Sequence, residues 1–332
     1  MQTTVELALV SGDATTIRAD VLALKYAQKP YGLDKYVASK LNQSGVMAEE
    51  MQPLIGNTSY LSGLGAVAAR HVLFINTPSI REFTYESIRR FGKQAITTLA
   101  QCAPDTQHIA MTIHGPGFGM DERECIRVLV AGCMEALNSG EAPGELQRIT
   151  IVERDQWIAK RLRETLQREL ASIPNVTASP SGVYHLPVGR RSTNQNTITK
   201  TPKNHLFVAM PFAPTFDDVF YKGISEPINN IGYLCERAGT VPFLGDIMEH
   251  VTTKIRTSSL VIADLTGANG NVYLEVGYAW GVGQKTMLII HKDSKALYDV
   301  RGHMIYRYED AQHLNELLTK NLQDILSQLD RS

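Results

Sequence analysis

The stretch from Val261 to Ala279 constrains the fold of this chain more than any other. It reads VIADLTGANGNVYLEVGYA, in which an apolar segment ends in an acid and a small-residue segment carries a second acid. The apolar residues predict a buried strand, the Thr, Gly and Asn residues predict a turn, and the remainder predicts a helix. A parallel α/β sheet is built from such units, with Asp264 at the carboxyl end of the strand and Glu275 near the start of the helix.

The positions of these two acids predict a site. Ligands of open parallel sheets bind at the carboxyl ends of the strands. A carboxylate held there can act as nucleophile or base on a sugar carbon. The alternative interpretation is that Asp264 caps the turn and Glu275 is a solvated helix acid.

Composition limits the class of protein. A chain of 332 residues predicts two domains, and 43% hydrophobic with 20% charged residues is typical of a globular protein. The net charge of −1 gives no overall field to attract nucleic acid or anionic lipid, so we expect neither as a partner.

The start of the chain has no secretion signal and no apolar run is long enough to cross a bilayer, so we expect a cytoplasmic protein without a membrane partner. Cys102, Cys125, Cys133 and Cys235 lack CxxC spacing, and the histidines lack metal-ligand spacing. These patterns predict reduced cysteines, no metal site and no prosthetic group.

A polar, turn-rich segment predicts the domain boundary. Residues 174–182 and 189–197 are rich in Pro, Gly, Ser, Thr and Asn, and a short strand is possible between them at 183–187. We therefore predict a first domain at 1–173, a linker at 174–203 and a second domain at 204–332.

Both domains alternate strand and helix patterns, which predicts parallel sheets with right-handed crossovers. In the first domain, strands are expected at 5–10, 21–24, 71–75, 108–113 and 149–152, and helices at 87–99, 122–137 and 158–170. In the second, strands are expected at 206–210, 233–235, 260–263 and 286–290, and helices at 216–231, 243–258, 271–282 and 311–328.

Four motifs of the second domain follow one another in a recognisable order. They are LFVAMPF at 206–212, FDDVFY at 216–221, CERA at 235–238 and the stretch at 261–279. This order resembles the nucleoside 2-deoxyribosyltransferase-like proteins and the related Toll/interleukin-1 receptor (TIR)-like domains of bacterial defence proteins. The resemblance covers about residues 204–310 and implies a flavodoxin-like parallel sheet.

The resemblance also implies residue roles. A glutamate at the place of Glu275 attacks or stabilises the anomeric carbon of an N-glycoside, and the resemblance leaves open whether that glycoside is NAD or a nucleoside. Asp264 and Asn271 are candidates to bind ribose hydroxyls or to orient Glu275. Substrate-binding candidates are Met210, Pro211, Phe212, which could stack on a base or belong to the core, Thr266, and Arg237, which could meet a phosphate or Glu275.

A glycine-rich loop forms the candidate site of the first domain. HGPGFGMDE at 114–122 follows a strand and opens a helix, so its glycines and free amides can approach a ligand. A plain tight turn is the alternative, and the acids at 121 and 122 would repel an anion unless they pointed away. Ser11 to Thr15 lies at a second strand end and carries Asp13.

The two loops together resemble a diverged macro domain, the ADP-ribose-binding module, and the related amino-terminal domain of leucine aminopeptidases, over about residues 1–170. The resemblance implies a mixed sheet, an adenine contact from Asp13 and a diphosphate loop that contains Gly115, Gly117, Phe118 and Gly119. The asparagines expected after the second strand are replaced by LKYAQ at 24–28. The domain is therefore predicted to bind or sense a nucleotide rather than to hydrolyse ADP-ribosyl groups; a scaffold without ligand is the alternative.

The leading hypothesis for the whole chain is an NAD hydrolase of a bacterial anti-phage system, with NAD as substrate and an ADP-ribose-like or cyclic nucleotide as activator. Homo-oligomerisation is implied by the resemblance alone. The second hypothesis is a deoxyribosyltransferase or N-glycosidase; Thr266 to Asn271 departs from the transferase's Pro-Asp/Ser-Gly-Thr series. The third is a non-catalytic nucleotide-binding scaffold. The chain has no GK[ST] phosphate loop, serine elbow or HExxH motif.

Overall fold

A computed structural model describes residues 4–26, 32–53, 57–79, 82–189, 203–237, 246–297 and 300–329. The chain divides into two compact units, the first made of Met1–Gly115 and Glu122–Lys200, the second of Pro116–Asp121 and Thr201–Ser332. None of the helices in the described ranges is both long and apolar enough to span a bilayer.

The first unit is built on a mixed sheet of eight described strands in the order β3-β4-β2-β5-β6-β1-β8-β7. They are β1 (Thr4–Ser11), β2 (Val21–Tyr26), β3 (Thr58–Ser62), β4 (His71–Asn76), β5 (His108–Thr112), β6 (Arg148–Glu153), β7 (Thr177–Ala178) and β8 (Tyr184–Pro187). The five strands from β4 to β1 in this order are mutually parallel, and β3, β8 and β7 pair antiparallel at the two edges.

The burial pattern explains this arrangement. The central strands β2 and β4 are nearly continuous apolar runs, as expected where both faces of a parallel sheet are covered. The helices are α1 (Gly32–Gln43), α2 (Ala48–Met51), α3 (Tyr85–Cys102), α4 (Glu122–Ser139) and α5 (Gln156–Ala171). The carboxyl ends of the parallel strands therefore form one edge, where the loops after β1, β5 and β6 meet.

The structure contains elements that the sequence patterns missed. All five strands expected in this region are present, but β3, α1 and α2 were not expected. The short strand considered possible at 183–187, within the predicted linker, is present as β8, which pairs with β1 from Thr4↔Pro187 to Leu7↔Tyr184 and so belongs to the first sheet. The linker residues 190–202 lie outside the described residues.

The second unit carries a separate parallel sheet of five described strands, in the order β10-β9-β11-β12-β13. They are β9 (His205–Ala209), β10 (Leu234–Arg237), β11 (Leu260–Asp264), β12 (Thr286–His291) and β13 (Ile305–Tyr308). In chain order within the unit this is 2-1-3-4-5, the doubly wound order of flavodoxin-like folds. The strand order reverses between β9 and β11, which is where ligands of such sheets bind.

Helices cover both faces of this sheet: α6 (Glu226–Asn230), α7 (Asp246–Thr257), α8 (Gly270–Gly281) and α9 (Ala311–Leu329). Leu260 and Ile262 pack in the core that includes the apolar stripe of α9, whereas Val261 and Ala263 pack with Val276 of α8 and its neighbours. The alternation of β11 thus assigns each residue to one face. The predicted class of two α/β domains, one mixed sheet and one parallel sheet, is confirmed.

The segment predicted as one helix at 216–231 is broken into pieces. A 3-10 turn at Pro214–Phe216 is followed by a π-helical segment at Val219–Ser225 and then by α6. Pro227 lies at the start of α6 and has no backbone N–H, so it cannot continue the hydrogen-bond ladder of a preceding α-helix. The first residues of the helix expected at 243–258 lie outside the described ranges, and α7 begins at Asp246.

Candidate functional site

The turn after β11 is fixed by a buried carboxylate. Asp264 is fully buried; its Oδ1 accepts a hydrogen bond from the Thr266 amide at 3.0 Å, and its Oδ2 accepts one from the Tyr308 hydroxyl at 2.8 Å. Burial raises the pKa of Asp264, and the hydrogen bonds from Thr266 and Tyr308 oppose this shift. The pKa of Tyr308 is also raised, by burial and by the Asp264 charge. These bonds tie the end of β11 to β13.

Asp264 and Glu275 belong to opposite faces of the sheet. Asp264 continues the alternation of Leu260 and Ile262 and bonds Tyr308, a member of the same core as α9. Glu275 lies on α8, which packs over the other face. The structure therefore gives the Asp264 carboxylate a partner in Tyr308 and no hydrogen bond to Glu275; its predicted contact with ribose stays a prediction.

Glu275 is an unusual carboxylate in this protein. It is half-buried on α8 between the buried residues Val272 and Val276, and its carboxylate has no hydrogen bond or ion pair with the residues that the structure describes. Burial alone raises its pKa from 4.5 to about 7. A desolvated carboxyl group that titrates near neutrality is a frequent mark of a catalytic acid, base or nucleophile.

The turn between Asp264 and α8 is built from its own polar side chains. Thr266 Oγ1 accepts from the His291 amide at 2.9 Å and lies 3.2 Å from the Tyr308 hydroxyl. Gly267 has φ +74°, a left-handed conformation that glycine adopts without steric cost. Asn269 caps α8 by accepting from the amide of Asn271 at 3.0 Å, and the side chain of Asn271 is exposed.

The three substrate-binding candidates in the loop after β9 differ in their exposure to solvent. Met210 and Pro211 are buried, and Met210 belongs to the core shared with α9, so its side chain packs rather than faces solvent. Phe212 is 41% exposed. Its ring lies near Arg237, whose guanidinium carbon is 5.1 Å from the ring centroid. The structure thus brings Phe212 and Arg237 together at the carboxyl ends of β9 and β10.

The first unit has its own cavity, at the carboxyl ends of β1, β5 and β6. It has a volume of about 630 Å³, and its walls include Gly12, Asp13, Lys25, Asp34, His114 and Arg154. Asp13 is exposed and accepts from the Thr15 amide at 2.9 Å and the Thr15 hydroxyl at 2.8 Å. Those bonds, with the more distant charge of Arg154, lower the pKa of Asp13, so it is an anionic acceptor at neutral pH.

A buried ion pair forms one wall of this cavity. Lys25 Nζ lies 3.0 Å from Asp34 Oδ2, and the two side chains are only 8% and 7% exposed. Burial raises the pKa of Asp34, and the Lys25 charge opposes the shift. Lys25 belongs to the segment 24–28, where the resemblance led us to expect asparagines, and Asp34 belongs to α1.

His114 contributes a buried polar nitrogen to this cavity. The side chain is buried, packed edge-on against Phe91 with ring centroids 4.5 Å apart. Its Nε2 has no hydrogen-bond partner among the described residues. Burial, aided by the Lys25 charge, holds the pKa of His114 well below its usual value, so the imidazole is neutral at pH 7.

The rest of the glycine-rich loop does not line this cavity. Gly115 closes the first stretch of the first unit, whereas Gly117, Phe118 and Gly119 group with the second unit. There the Gly119 carbonyl accepts from the Arg237 amide at 3.1 Å, and the Phe118 carbonyl lies 3.3 Å from His250 Nε2. The predicted diphosphate-wrapping role of this loop therefore stays a prediction, and Asp13 shares its cavity with His114 instead.

Sequence patterns did not identify several residues that the structure brings to these sites: Tyr308, His291, the Lys25–Asp34 pair, and the Phe220 and Tyr221 rings beside Arg237. The buried polar residues Lys25 and Asp34 stand at the end of an apolar strand and within a helix, which was the only available signal. Among the described residues, no group of three or more His, Cys, Asp or Glu side chains is placed to hold a metal ion.

No protein-family model matches this chain, and no curated protein matches it. Solved structures similar to it include a mutant macrodomain of Oceanobacillus iheyensis, with a TM-score of 0.42, 14% identity, and coverage of 50% of this chain and 93% of that one. A Trypanosoma brucei macrodomain in complex with ADP has a TM-score of 0.39 and 16% identity, over 48% of this chain and 68% of that one. Similarities at this level do not assign a ligand or an activity to this chain.

Proposed function

We propose that the second unit cleaves the N-glycosidic bond between nicotinamide and ribose in NAD, with Glu275 as the essential carboxylate. The observation that carries the proposal is the state of Glu275: half-buried, without a partner among the described residues, and with its pKa raised to about 7. A glutamate that served only as a solvated helix acid would keep its ordinary pKa.

Cleavage of the N-glycosidic bond requires a group that stabilises positive charge, and a poorly solvated carboxylate can do this. When the C–N bond breaks, its electron pair leaves with the nicotinamide ring, and positive charge develops on the ribose carbon. A carboxylate stabilises that oxocarbenium-like state or bonds to it, and water then adds to the carbon and loses a proton. Because Glu275 is poorly solvated, its negative charge acts on the developing cation more strongly than an exposed carboxylate would.

The charge of the substrate fits the raised pKa of Glu275. The nicotinamide ring of NAD is a cation, and an opposite charge within a few ångströms lowers the pKa of a carboxyl group. Binding of NAD would therefore ionise Glu275 at the moment when the carboxylate is needed. A neutral nucleoside would supply no such shift, which favours NAD over a deoxynucleoside.

The alternative enzyme is a deoxyribosyltransferase or N-glycosidase, which would use Glu275 on a neutral nucleoside. Incubation of the pure protein with NAD and with deoxynucleosides, followed by chromatography, separates the candidates. We expect nicotinamide release from NAD by the wild type and none by Glu275→Gln. Base exchange between deoxynucleosides would replace the hydrolase proposal, and absence of any product, with or without added nucleotides, would favour a scaffold.

We also propose that the cavity of the first unit binds a nucleotide that activates the second. Asp13 offers an acceptor suited to the exocyclic amine of adenine, and His114 offers a buried nitrogen that has no partner in the described part of the chain. Calorimetry on Glu275→Gln, which prevents turnover, with ADP-ribose and with cyclic nucleotides tests this. Failure of every such ligand to bind would remove the sensor from the proposal.

The cellular setting is a further part of the proposal. A nucleotide-sensing unit joined to an NAD-consuming unit suits a bacterial anti-phage protein that acts in the cytoplasm as a homo-oligomer. Size-exclusion chromatography with and without ADP-ribose, and phage plating on cells that carry the wild type or Glu275→Gln, test these two points. Equal plaque counts on both strains would contradict the defence role.

A further inference from the structure

An arginine at the carboxyl edge of the second sheet lies among three aromatic rings. Arg237 ends β10, and its guanidinium carbon is 4.0 Å from the ring centroid of Phe220, 5.1 Å from that of Phe212 and 5.7 Å from that of Tyr221. Phe220 and Tyr221 belong to the π-helical segment that follows β9. Irregular turns of this kind often occur at functional sites.

The guanidinium of this arginine has no hydrogen-bond acceptor among the residues that the structure describes. Its backbone N–H donates to Gly119, but over the described part of the chain its guanidinium makes no hydrogen bond and no ion pair. Three of the other partly or fully buried arginines are paired with carboxylates through two nitrogens: Arg89 with Glu135, Arg127 with Glu124, and Arg161 with Glu122. The guanidinium of Arg237 is surrounded by aromatic rings, whereas those three arginines contact carboxylates.

Nearby acids are engaged by other cations. Glu236, the residue before Arg237, is paired with Lys254, whose Nζ lies 2.8 Å from its Oε2. Asp218 is exposed and paired with Lys222, whose Nζ lies 2.9 Å from its Oδ1. Aromatic faces fix the plane of a guanidinium through cation–π contact and stacking, but they accept none of the N–H bonds along its edge. The arrangement therefore holds a planar cation in a fixed orientation with its donors available.

We infer that Arg237 is an anion subsite of the second unit and binds a phosphate of the substrate through the edge of its guanidinium. Guanidinium and phosphate match in geometry, since two parallel N–H bonds can reach two oxygens. This inference rests on the proposed function and narrows it: the substrate class is a nicotinamide nucleotide, which carries phosphate, rather than a nucleoside, which carries none.

Two substrates that differ by one phosphate test the inference. Nicotinamide mononucleotide and nicotinamide riboside carry the same scissile bond, so the ratio of their kcat/KM values reports the phosphate alone. We expect the wild type to favour the mononucleotide by about tenfold or more, the effect of one good charged hydrogen-bonded contact. Arg237→Met should bring this ratio near one while turnover of nicotinamide riboside is retained. Arg237→Lys should keep part of the preference for the mononucleotide.

Arg256 supplies the matched control. It also lies near a ring, with its guanidinium carbon 5.8 Å from the centroid of Tyr278, but its Nε already donates to the Tyr278 hydroxyl at 2.7 Å. Arg256→Met should keep the wild-type ratio. If Arg237→Met keeps it as well, or if the wild type cleaves both substrates equally, the anion subsite is overturned while the hydrolase proposal stands.

A binding measurement separates this failure from failure of the enzyme proposal. If the wild type releases nicotinamide from neither substrate nor from NAD, the hydrolase is contradicted, and inorganic pyrophosphate then serves as the probe of Arg237. Calorimetry should show binding to the wild type and Arg256→Met and at least about a tenfold loss in Arg237→Met. Equal binding by all three proteins would overturn the subsite independently of activity.

Discussion

Both units have polar groups at the carboxyl edge of a sheet, but the two sets of charged side chains differ in whether they are paired. In the first unit, Lys25 and Asp34 form a buried pair and Asp13 is held by Thr15. In the second, Glu275 and Arg237 have no hydrogen-bond or ion-pair partners for their charged groups among the described residues. Matched charges are typical of a preformed binding cavity, whereas unmatched charges are available to act on a bound molecule.

The largest effect is expected on stability when the buried Lys25–Asp34 ion pair of the first unit is broken. Lys25→Met leaves Asp34 buried without its cation, and we expect the free energy of unfolding to fall by about 3–5 kcal/mol, the usual cost of such a change. Urea unfolding at pH 7 measures it. Lys25→Met combined with Asp34→Leu should recover most of the loss; an unchanged midpoint in the single variant would contradict the comparison.

The second prediction removes the unmatched charge of the second unit. Glu275→Gln keeps nearly the same volume and loses the carboxylate, so we expect nicotinamide release from NAD to fall by about 100-fold or more. Circular dichroism should show an unchanged fold. Glu316→Gln, on the exposed side of α9, is the control and should keep wild-type activity. Wild-type turnover in a folded Glu275→Gln protein would remove Glu275 from the mechanism.

The third prediction concerns the unsatisfied histidine of the cavity. His114→Leu removes a buried nitrogen without a partner in the described structure, so stability should be kept or slightly raised, while nucleotide binding weakens by about tenfold. Calorimetry and thermal unfolding measure the two effects. His185→Leu, at the amino edge of the same sheet, should leave binding unchanged. Loss of stability without loss of binding would make His114 a packing residue.

The fourth prediction uses the pH dependence of catalysis. Because the pKa of Glu275 in the free protein is about 7, kcat/KM for NAD should fall below that pH, by about tenfold per unit, as the carboxyl group becomes protonated. The profile of kcat should begin to fall at lower pH, since the cationic ring of bound NAD favours the ionised form. A limb near the ordinary glutamate pKa in both profiles would argue against a desolvated Glu275.

The smallest expected effect is on stability. The folded-state pKa of Glu275 is raised from 4.5 to about 7, so its contribution to stability is present below pH 4.5 and is lost as the pH rises through 7. Glu275→Gln should therefore melt slightly higher than the wild type at pH 8 and at about the same temperature at pH 4. Solvent screening of this half-buried group keeps the difference small. A lower melting temperature at pH 8 would show that the carboxylate has a stabilising partner.

The local sequence pattern was sufficient to predict the strands and helices that have regular hydrophobic periodicity. The strand before Asp264 and the helix that carries Glu275 follow from an apolar run, a Gly/Asn turn and helical spacing, all of which are encoded within a few residues. The π-helical segment was beyond this reasoning, because Val219 to Ser225 has an ordinary helical composition. The short strand considered possible at 183–187 is present as β8, but its partner β1 is distant in the chain and could not be read from that turn-rich segment.

The sequence by itself determined two α/β units and the position of Glu275 after a buried strand, because periodicity and turn chemistry act between neighbours in the chain. Tertiary structure alone decided which charges are matched. Lys25 meets Asp34, Asp264 meets Tyr308 from 44 residues away, and Arg237 meets rings of another segment. Desolvation and pairing depend on what surrounds a group in space, so the pKa of Glu275 and the aromatic surroundings of Arg237 could not be read from their neighbours in sequence.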